Sequence, residues 1–317
     1  MRETEHTAHT ALGSGAEFDA IRRILERWGP RAKRIGDDAA IVTTLGDRAL
    51  VVSTDSSIEN VHFRADWLTP VEIGYRATTA ALSDLAAMGA KPLGLLAALA
   101  VPEEWRSRLE QITDGIGDAA ELAGAPILGG DMSRSGELGL TITVLGAARA
   151  ALFRISARPG DQVYVTGRLG GPFAALRAFN SGESPAREHR KRFARPVARI
   201  AESIWLNEHG ATAAIDISDG FAADIRHLAV ASRVGITIQL DRLPCVEGVS
   251  PLDAAASGEE YELIVTAPAA LDTSEFASRF GLELTEVGDV AHGKDEVRFM
   301  LGDEQVPGPP GYSHFTK

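Results

Sequence analysis

One cysteine, Cys245, occurs in 317 residues, which excludes a disulfide framework and fits a reducing, cytoplasmic compartment. No apolar run reaches the roughly 18 residues of a membrane span. A basic excess is missing as well: the formal net charge is -12, which argues against a nucleic-acid surface. Zinc spacings such as H-E-x-x-H do not occur, nor does the G-x-x-x-x-G-K-[ST] loop or the dinucleotide fingerprint. Met1 to Ser14 is polar, lacks the apolar core of a signal peptide, and is expected to be a disordered tail. The remainder is ordinary for a soluble globular chain, at 44% apolar and 24% charged residues. Its length suggests about two domains, and a weakening of the pattern between Ala148 and Pro159 places a boundary there.

The informative residues are aspartates at the ends of elements. Ala49 to Val52 reads as a buried strand that stops at Ser53-Thr54-Asp55, where a carboxylate is costly unless a cation meets it. Gly36-Asp37-Asp38 puts two acids side by side, either in an exposed turn or beside compensating cations or backbone donors. A capping box at Thr69-Pro70-Val71-Glu72 predicts a helix to about Met88, and Asp84 near its C-terminus opposes the macrodipole. Helices are expected over Glu17–Trp28, Glu103–Ala123 and much of Ser184–His209. Pro126-Ile127-Leu128 leads into Gly129-Gly130-Asp131, whose glycines would let a backbone approach a bulky anion. Further strands are expected at Glu137–Ala147, Asp161–Thr166, Tyr261–Thr266 and Thr285–Val290. Ile215 leads to Asp216-Ile217-Ser218-Asp219-Gly220 before a helix from Phe221. The glycine-rich turn Gly167–Gly171 is a weak phosphate signal.

Oxygen ligands without paired His or Cys select Mg²⁺ over zinc, and Mg²⁺ combines few carboxylates with substrate phosphates. Many such acids imply several ions around a polyphosphate. No lysine falls within these motifs, so screening of charge rests on metal and a few arginines. Taken alone, His62 reads as a hydrogen-bonded core histidine and Tyr312 as a terminal packing residue. Trp67, Trp105 and Trp205 read as packing or partly exposed anchors.

Seven motifs in order resemble the thiamine-monophosphate kinase family. They are Gly36-Asp37-Asp38-Ala39-Ala40, Ser53-Thr54-Asp55 with Val61-His62-Phe63, Ser83 to Ala90, Gly129-Gly130-Asp131, Asp216 to Gly220, Gly258 to Leu263, and Gly311 to Phe315. The resemblance implies a two-domain α/β fold with mixed sheets, like that of aminoimidazole ribonucleotide synthetase and selenophosphate synthetase. Residues 15–148 would bind ATP and Mg²⁺ and pair with a second copy through a dimeric β-barrel, and 149–317 would form a C-terminal α/β domain. The implied reaction is direct in-line transfer from ATP to thiamine monophosphate, giving thiamine diphosphate. By motif position, Asp37, Ser53, Thr54, Asp55, Asp84, Asp131, Asp216 and Asp219 would hold Mg²⁺, with Asp55, Asp84 and Asp216 as catalytic acids. Gly130, Asp131, Arg154 and Ser218 would contact ATP, and His62, Glu259 or Glu260, and Tyr312 the thiamine phosphate. Asn60, Met132, Ser257 and Glu260 depart from the family pattern, and Asn tolerates the left-handed backbone that Gly would adopt at position 60. Another member of the same ATP-dependent superfamily and a metal-stabilised scaffold that binds nucleotide remain alternatives.

Overall fold

The computed structural model describes residues 9–32, 35–268, 271–293 and 295–312. His314 and Phe315 of the last motif, and residues 1–8 of the expected tail, lie outside them. Residues 9–14 are held in place: the Thr10 amide donates to the Ile35 carbonyl, and Arg22 donates to the Gly13 carbonyl at 2.7 Å. Helix α1 (Ala16–Trp28) follows, and none of its residues is fully buried.

The first half carries β1 (Ala40–Leu45), β2 (Arg48–Ile58), α2 (Pro70–Ala87), β3 (Lys91–Val101), α3 (Leu109–Ala123), β4 (Ile127–Arg134) and β5 (Gly139–Ala148). Its strands form one sheet in the order β1-β2-β5-β3-β4, antiparallel except for the parallel β3–β4 pair. Strand β2 does not stop at Asp55. It pairs with β5 from Ala49↔Ala148 to Ile58↔Gly139, so the polar triplet lies inside a ladder. Period-two alternation then sends Ser53 and Asp55 to one face and Thr54 and Ser56 to the other. The expected helix at Glu103 begins as a 3₁₀ turn over Glu103–Arg108 and becomes α-helical at Leu109.

Helix α2 starts at the capping box: the Glu72 amide donates to Thr69 Oγ1, and the Thr69 amide to Glu72 Oε2. The same carboxylate takes two bonds from Arg190, at 2.7 and 2.8 Å. Burial raises the Glu72 pKa, but these bonds outweigh it and the net shift is downward. Helices α2 and α3 cross with their backbones almost touching. A Cβ on Gly115 would lie 1.9 Å from the Val71 carbonyl, and one on Gly74 would lie 2.0 Å from that of Ile112. Only glycine permits that approach, and it lets α2 lie close on the sheet with Leu82, Leu85 and Ala86 buried in the core.

The second half contains β6 (Asp161–Thr166), α4 (Gly171–Asn180), α5 (Arg187–Ala194), α6 (Ile200–Glu208), β7 (Ala213–Asp216), α7 (Phe221–Ser232), β8 (Gly235–Gln239), α8 (Pro251–Ala255), β9 (Leu263–Pro268), α9 (Thr273–Phe280), β10 (Leu284–Ala291), β11 (Val297–Leu301) and β12 (Glu304–Val306). A second mixed sheet runs β12-β11-β8-β10-β6-β9-β7, so the expected mixed-sheet α/β architecture is observed in both halves. Strand β9 begins at Leu263 rather than Tyr261, because Glu259 and Tyr261 take left-handed φ of 57° and 54°. One apolar core joins the halves: Leu85 of α2 and Met88 just after it belong to the same cluster as Tyr164, Leu206 and Leu263.

Candidate functional site

Three elements from both halves meet where the sheets approach each other. Asp38 precedes β1, Asp84 lies in the last turn of α2, and Asp216 ends β7. One carboxylate oxygen from each lies within 4.8 Å of the others. Ser53 Oγ sits 2.5 Å from Asp84 Oδ2 and 3.1 Å from the Asp38 carbonyl, and Ser83 donates to Asp216 at 2.7 Å. Arg154 is the described cation bonded here. Its Nε donates to Asp38 Oδ2 at 2.9 Å, and its backbone amide to Asp37 Oδ1 at 2.8 Å. Burial opposes the charge of Arg154, but the Asp38 carboxylate outweighs it and holds the guanidinium protonated.

That cation is spent on Asp38, and the other acids remain short of positive charge. Burial, then the Asp38 carboxylate, pushes Asp216 up to about 7. Burial and the Asp216 charge push Asp84 up in the same way. Buried like charges at this spacing are unfavourable unless a cation joins them. The donor set is all oxygen and fits a hard divalent cation such as Mg²⁺.

Beside the cluster opens a cavity of about 610 Å³. Its lining combines Asp55, Asp84, Asp216, Ser218 and Asp219 with the apolar and aromatic side chains of Phe63, Trp67, Phe173, Leu176 and Phe193. Trp67 stacks on Phe179 with centroids 5.0 Å apart. His62, Glu259 and Tyr312 also line the cavity. The Ile58 amide donates to His62 Nδ1 at 3.1 Å, so a neutral ring carries its proton on Nε2. Asn60 takes the left-handed backbone expected of it, with φ 62°.

Of the residues marked from sequence, Asp55, Asp84, Asp216, Ser218, Asp219, His62, Glu259 and Tyr312 therefore share one cavity. Ser53 supports the cluster from beneath, and Arg154 braces it through Asp38. Four positions fall elsewhere. Thr54 is on the opposite face of β2, bonded to Thr143 at 3.0 Å. Gly130 and Asp131 lie on β4, where Asp131 shares a row with Ala98, Thr141 and Ser56. That row puts Asp131 three strand spacings from β2, about 14 Å. Glycine at 130 also has a structural cause, since a Cβ there would come 1.9 Å from the Ala97 carbonyl. Glu260 turns away from the cavity and accepts from the Gly170 amide and from Ser257, at 2.5 and 2.6 Å. The same bond uses the Gly170 amide of the glycine-rich turn that sequence offered to phosphate.

Sequence reasoning missed several neighbours. Asp38, rather than Asp37, belongs to the three-acid cluster, while Asp37 accepts from the Arg154 amide and from Thr10. A second grouping, Asp219, Asp224 and His227, also brings its ligand atoms within 4.8 Å. Its signal was the i, i+3 spacing of Asp224 and His227 on α7. Asp224 is already bonded to the amides of Ser218, Asp219 and Gly220. Trp67, read from sequence as a packing or partly exposed anchor, also lines the cavity.

The chain matches the family model for AIR synthase related protein over both parts, the N-terminal domain at residues 36–148 and the C-terminal domain at 158–300. The thiamine-monophosphate kinase of Salmonella typhimurium is 34% identical over 95% of this chain and 98% of that protein. That of Pyrococcus horikoshii is 35% identical over 88% of this chain and 89% of its own. A solved structure described as AaThiL complexed with AMPPCP and TMP superposes with a TM-score of 0.82 at 31% identity, covering 94% of this chain and 97% of that one.

Proposed function

The chain belongs to the thiamine-monophosphate kinase family of AIR synthase related proteins, and from that premise we propose that it transfers the γ-phosphoryl group of ATP to thiamine monophosphate. The observation that carries this reading is the cavity lined by both acids and aromatic side chains, built from both halves of the chain. A phosphorylated, cationic heterocycle suits that lining: its rings would pack on Trp67, Phe173 and Phe193, and its phosphate would meet the acids through a bound cation.

Asp38, Asp84 and Asp216, with Asp55 and Asp219 at the rim, would hold Mg²⁺, and Ser53 and Asp37 would support them. Bound there, the metal supplies neutralisation of the polyphosphate oxygens. The nucleophile is already an anionic phosphate oxygen, so no side chain needs to remove a proton from it. On this reading His62 would contact the acceptor substrate, Ser218 and Arg154 would contact ATP, and the apolar side chains of the cavity would limit water around the transferring group. Alignment and electrostatic stabilisation then account for the rate.

Residues 15–148 form, on this reading, the ATP-binding and dimerisation domain, and 149–317 the C-terminal domain. Exposed apolar side chains on the first sheet support pairing with a second copy: Val42, Leu96, Ile127, Leu128 and Met132 are each more than a third exposed. Such pairing would close the sheet into the expected β-barrel and bring Gly130 and Asp131 of β4 under a neighbouring surface as part of the nucleotide groove. No helix among the described residues is long and apolar enough to cross a membrane. With a single cysteine, this fits a cytoplasmic enzyme.

Purified protein with ATP, thiamine monophosphate and Mg²⁺ should form thiamine diphosphate, detected by chromatography, and EDTA should abolish the product. ADP release without thiamine diphosphate, or faster turnover of another acceptor, would contradict the assignment.

A further inference from the structure

Behind the cavity wall lies a cation that does not itself line it. Arg76, in the second turn of α2, has a side chain only 4% exposed. Its Nη1 donates to the His62 carbonyl at 2.8 Å, its other arm pairs with the Glu259 carboxylate, and its guanidinium lies 4.4 Å from the centre of the Phe193 ring. These partners come from the loop after β2, the loop before β9, and α5. Each of the three, His62, Glu259 and Phe193, is a wall residue of the same cavity.

The two loops need such a tie. Asn60 and Glu259 both hold left-handed φ, of 62° and 57°, conformations that persist only where the surroundings over-determine them. Backbone bonds fix part of the second loop, from the Glu259 amide to the Ser218 carbonyl and from the Tyr261 amide to the Ile217 carbonyl. The Glu259 side chain is held by Arg76. A planar guanidinium can grip a carbonyl and a carboxylate at once while lying flat on an aromatic ring, and an ammonium cannot do all three.

We infer that Arg76 is a positioning residue that fixes Glu259 and the His62 loop against each other, and thereby sets the cavity's affinity for the acceptor substrate rather than for the nucleotide. This presupposes the kinase reading and adds to it the residue that shapes the acceptor subsite. Without Arg76 the Glu259 carboxylate is free to swing, and the wall facing a cationic heterocycle loses its register.

Steady-state kinetics of wild type, Arg76→Lys, Arg76→Met and Glu259→Gln test this, with each substrate varied in turn and melting temperatures measured alongside. Arg76→Met should raise KM for thiamine monophosphate about tenfold, the scale of one charge-assisted bond. KM for ATP should stay within about twofold, and Arg76→Lys should recover part of the loss. Glu259→Gln should raise the same KM, and its effect should not add to that of Arg76→Lys in the double variant. If Arg76→Met does not fold, the Lys variant and this cycle decide. An unchanged KM for the acceptor in the Lys variant together with an additive cycle overturns the inference, as do parallel rises in both KM values that track a fall in melting temperature. If the wild type itself forms no thiamine diphosphate, the kinase reading fails instead.

Discussion

Two acidic groups, one centred on Glu262 and one formed by Asp38, Asp84 and Asp216, differ in how their charge is met. Glu262, with a side chain 1% exposed, is bonded to Arg199 at 2.8 and 2.5 Å and to Thr166 at 2.7 Å, with Arg192 also in reach at 3.3 Å. Asp38, Asp84 and Asp216 are gathered as tightly, but the bonded cation, Arg154, is committed to Asp38. The first group is complete as folded and ties α6 and the 258–262 loop together. The second carries an excess of negative charge in a low-dielectric setting, an arrangement whose cost makes sense if a divalent cation and a polyphosphate complete it.

Experiments that break one group and spare the other sharpen this contrast. Asp216→Asn should lower turnover about a thousandfold, the scale of removing one preorganised electrostatic group, while the metal-free protein melts no lower than wild type. Retained turnover would end the distinction. Arg199→Met should do the reverse, costing about 3 kcal/mol in denaturant unfolding because it leaves Glu262 buried with less compensation. Its folded fraction should keep its response to Mg²⁺.

The pH dependence should separate the groups next. Asp216 is raised from 3.8 to about 7, so its contribution to stability is full below about pH 4 and is lost as pH rises through 7. Metal-free protein should therefore melt lower at pH 8 than at pH 5, an added Mg²⁺ salt should recover the difference, and Asp216→Asn should flatten the profile. Gly115→Ala should cost about 2 kcal/mol, since its methyl group meets the Val71 carbonyl and must push α2 and α3 apart. Turnover should fall with it, because α2 carries Asp84. Glu72→Gln, which weakens the capping box and the Arg190 pair, should cost about 1 kcal/mol and leave KM values unchanged.

Much of this was legible in the chain because the acids sit where local rules place them: Asp84 near a helix end, Asp216 at a strand end, Asp219 before a glycine. Sequence could not say which member of Asp37-Asp38 faces inward, because that depends on how Arg154, more than a hundred residues away, packs against the pair. Thr54 was misplaced for a different reason. Treating Ser53-Thr54-Asp55 as a strand terminus hid the period-two alternation that sends Thr54 to the far face once β2 continues to Ile58. Glu259 and Glu260 are adjacent and chemically alike, and only the left-handed turn at Glu259 decides that one faces the cavity while the other caps Gly170. Arg76 carries no signal in the sequence, since its partners come from three segments distant along the chain.

The most direct test is a crystal structure grown with Mn²⁺, AMPPCP and thiamine monophosphate, with the metal located by anomalous scattering. Manganese should lie within about 2.2 Å of Asp84 and Asp216 oxygens, between them and the nucleotide phosphates. A fully occupied nucleotide whose phosphates lie elsewhere, with no metal on those carboxylates, would contradict it.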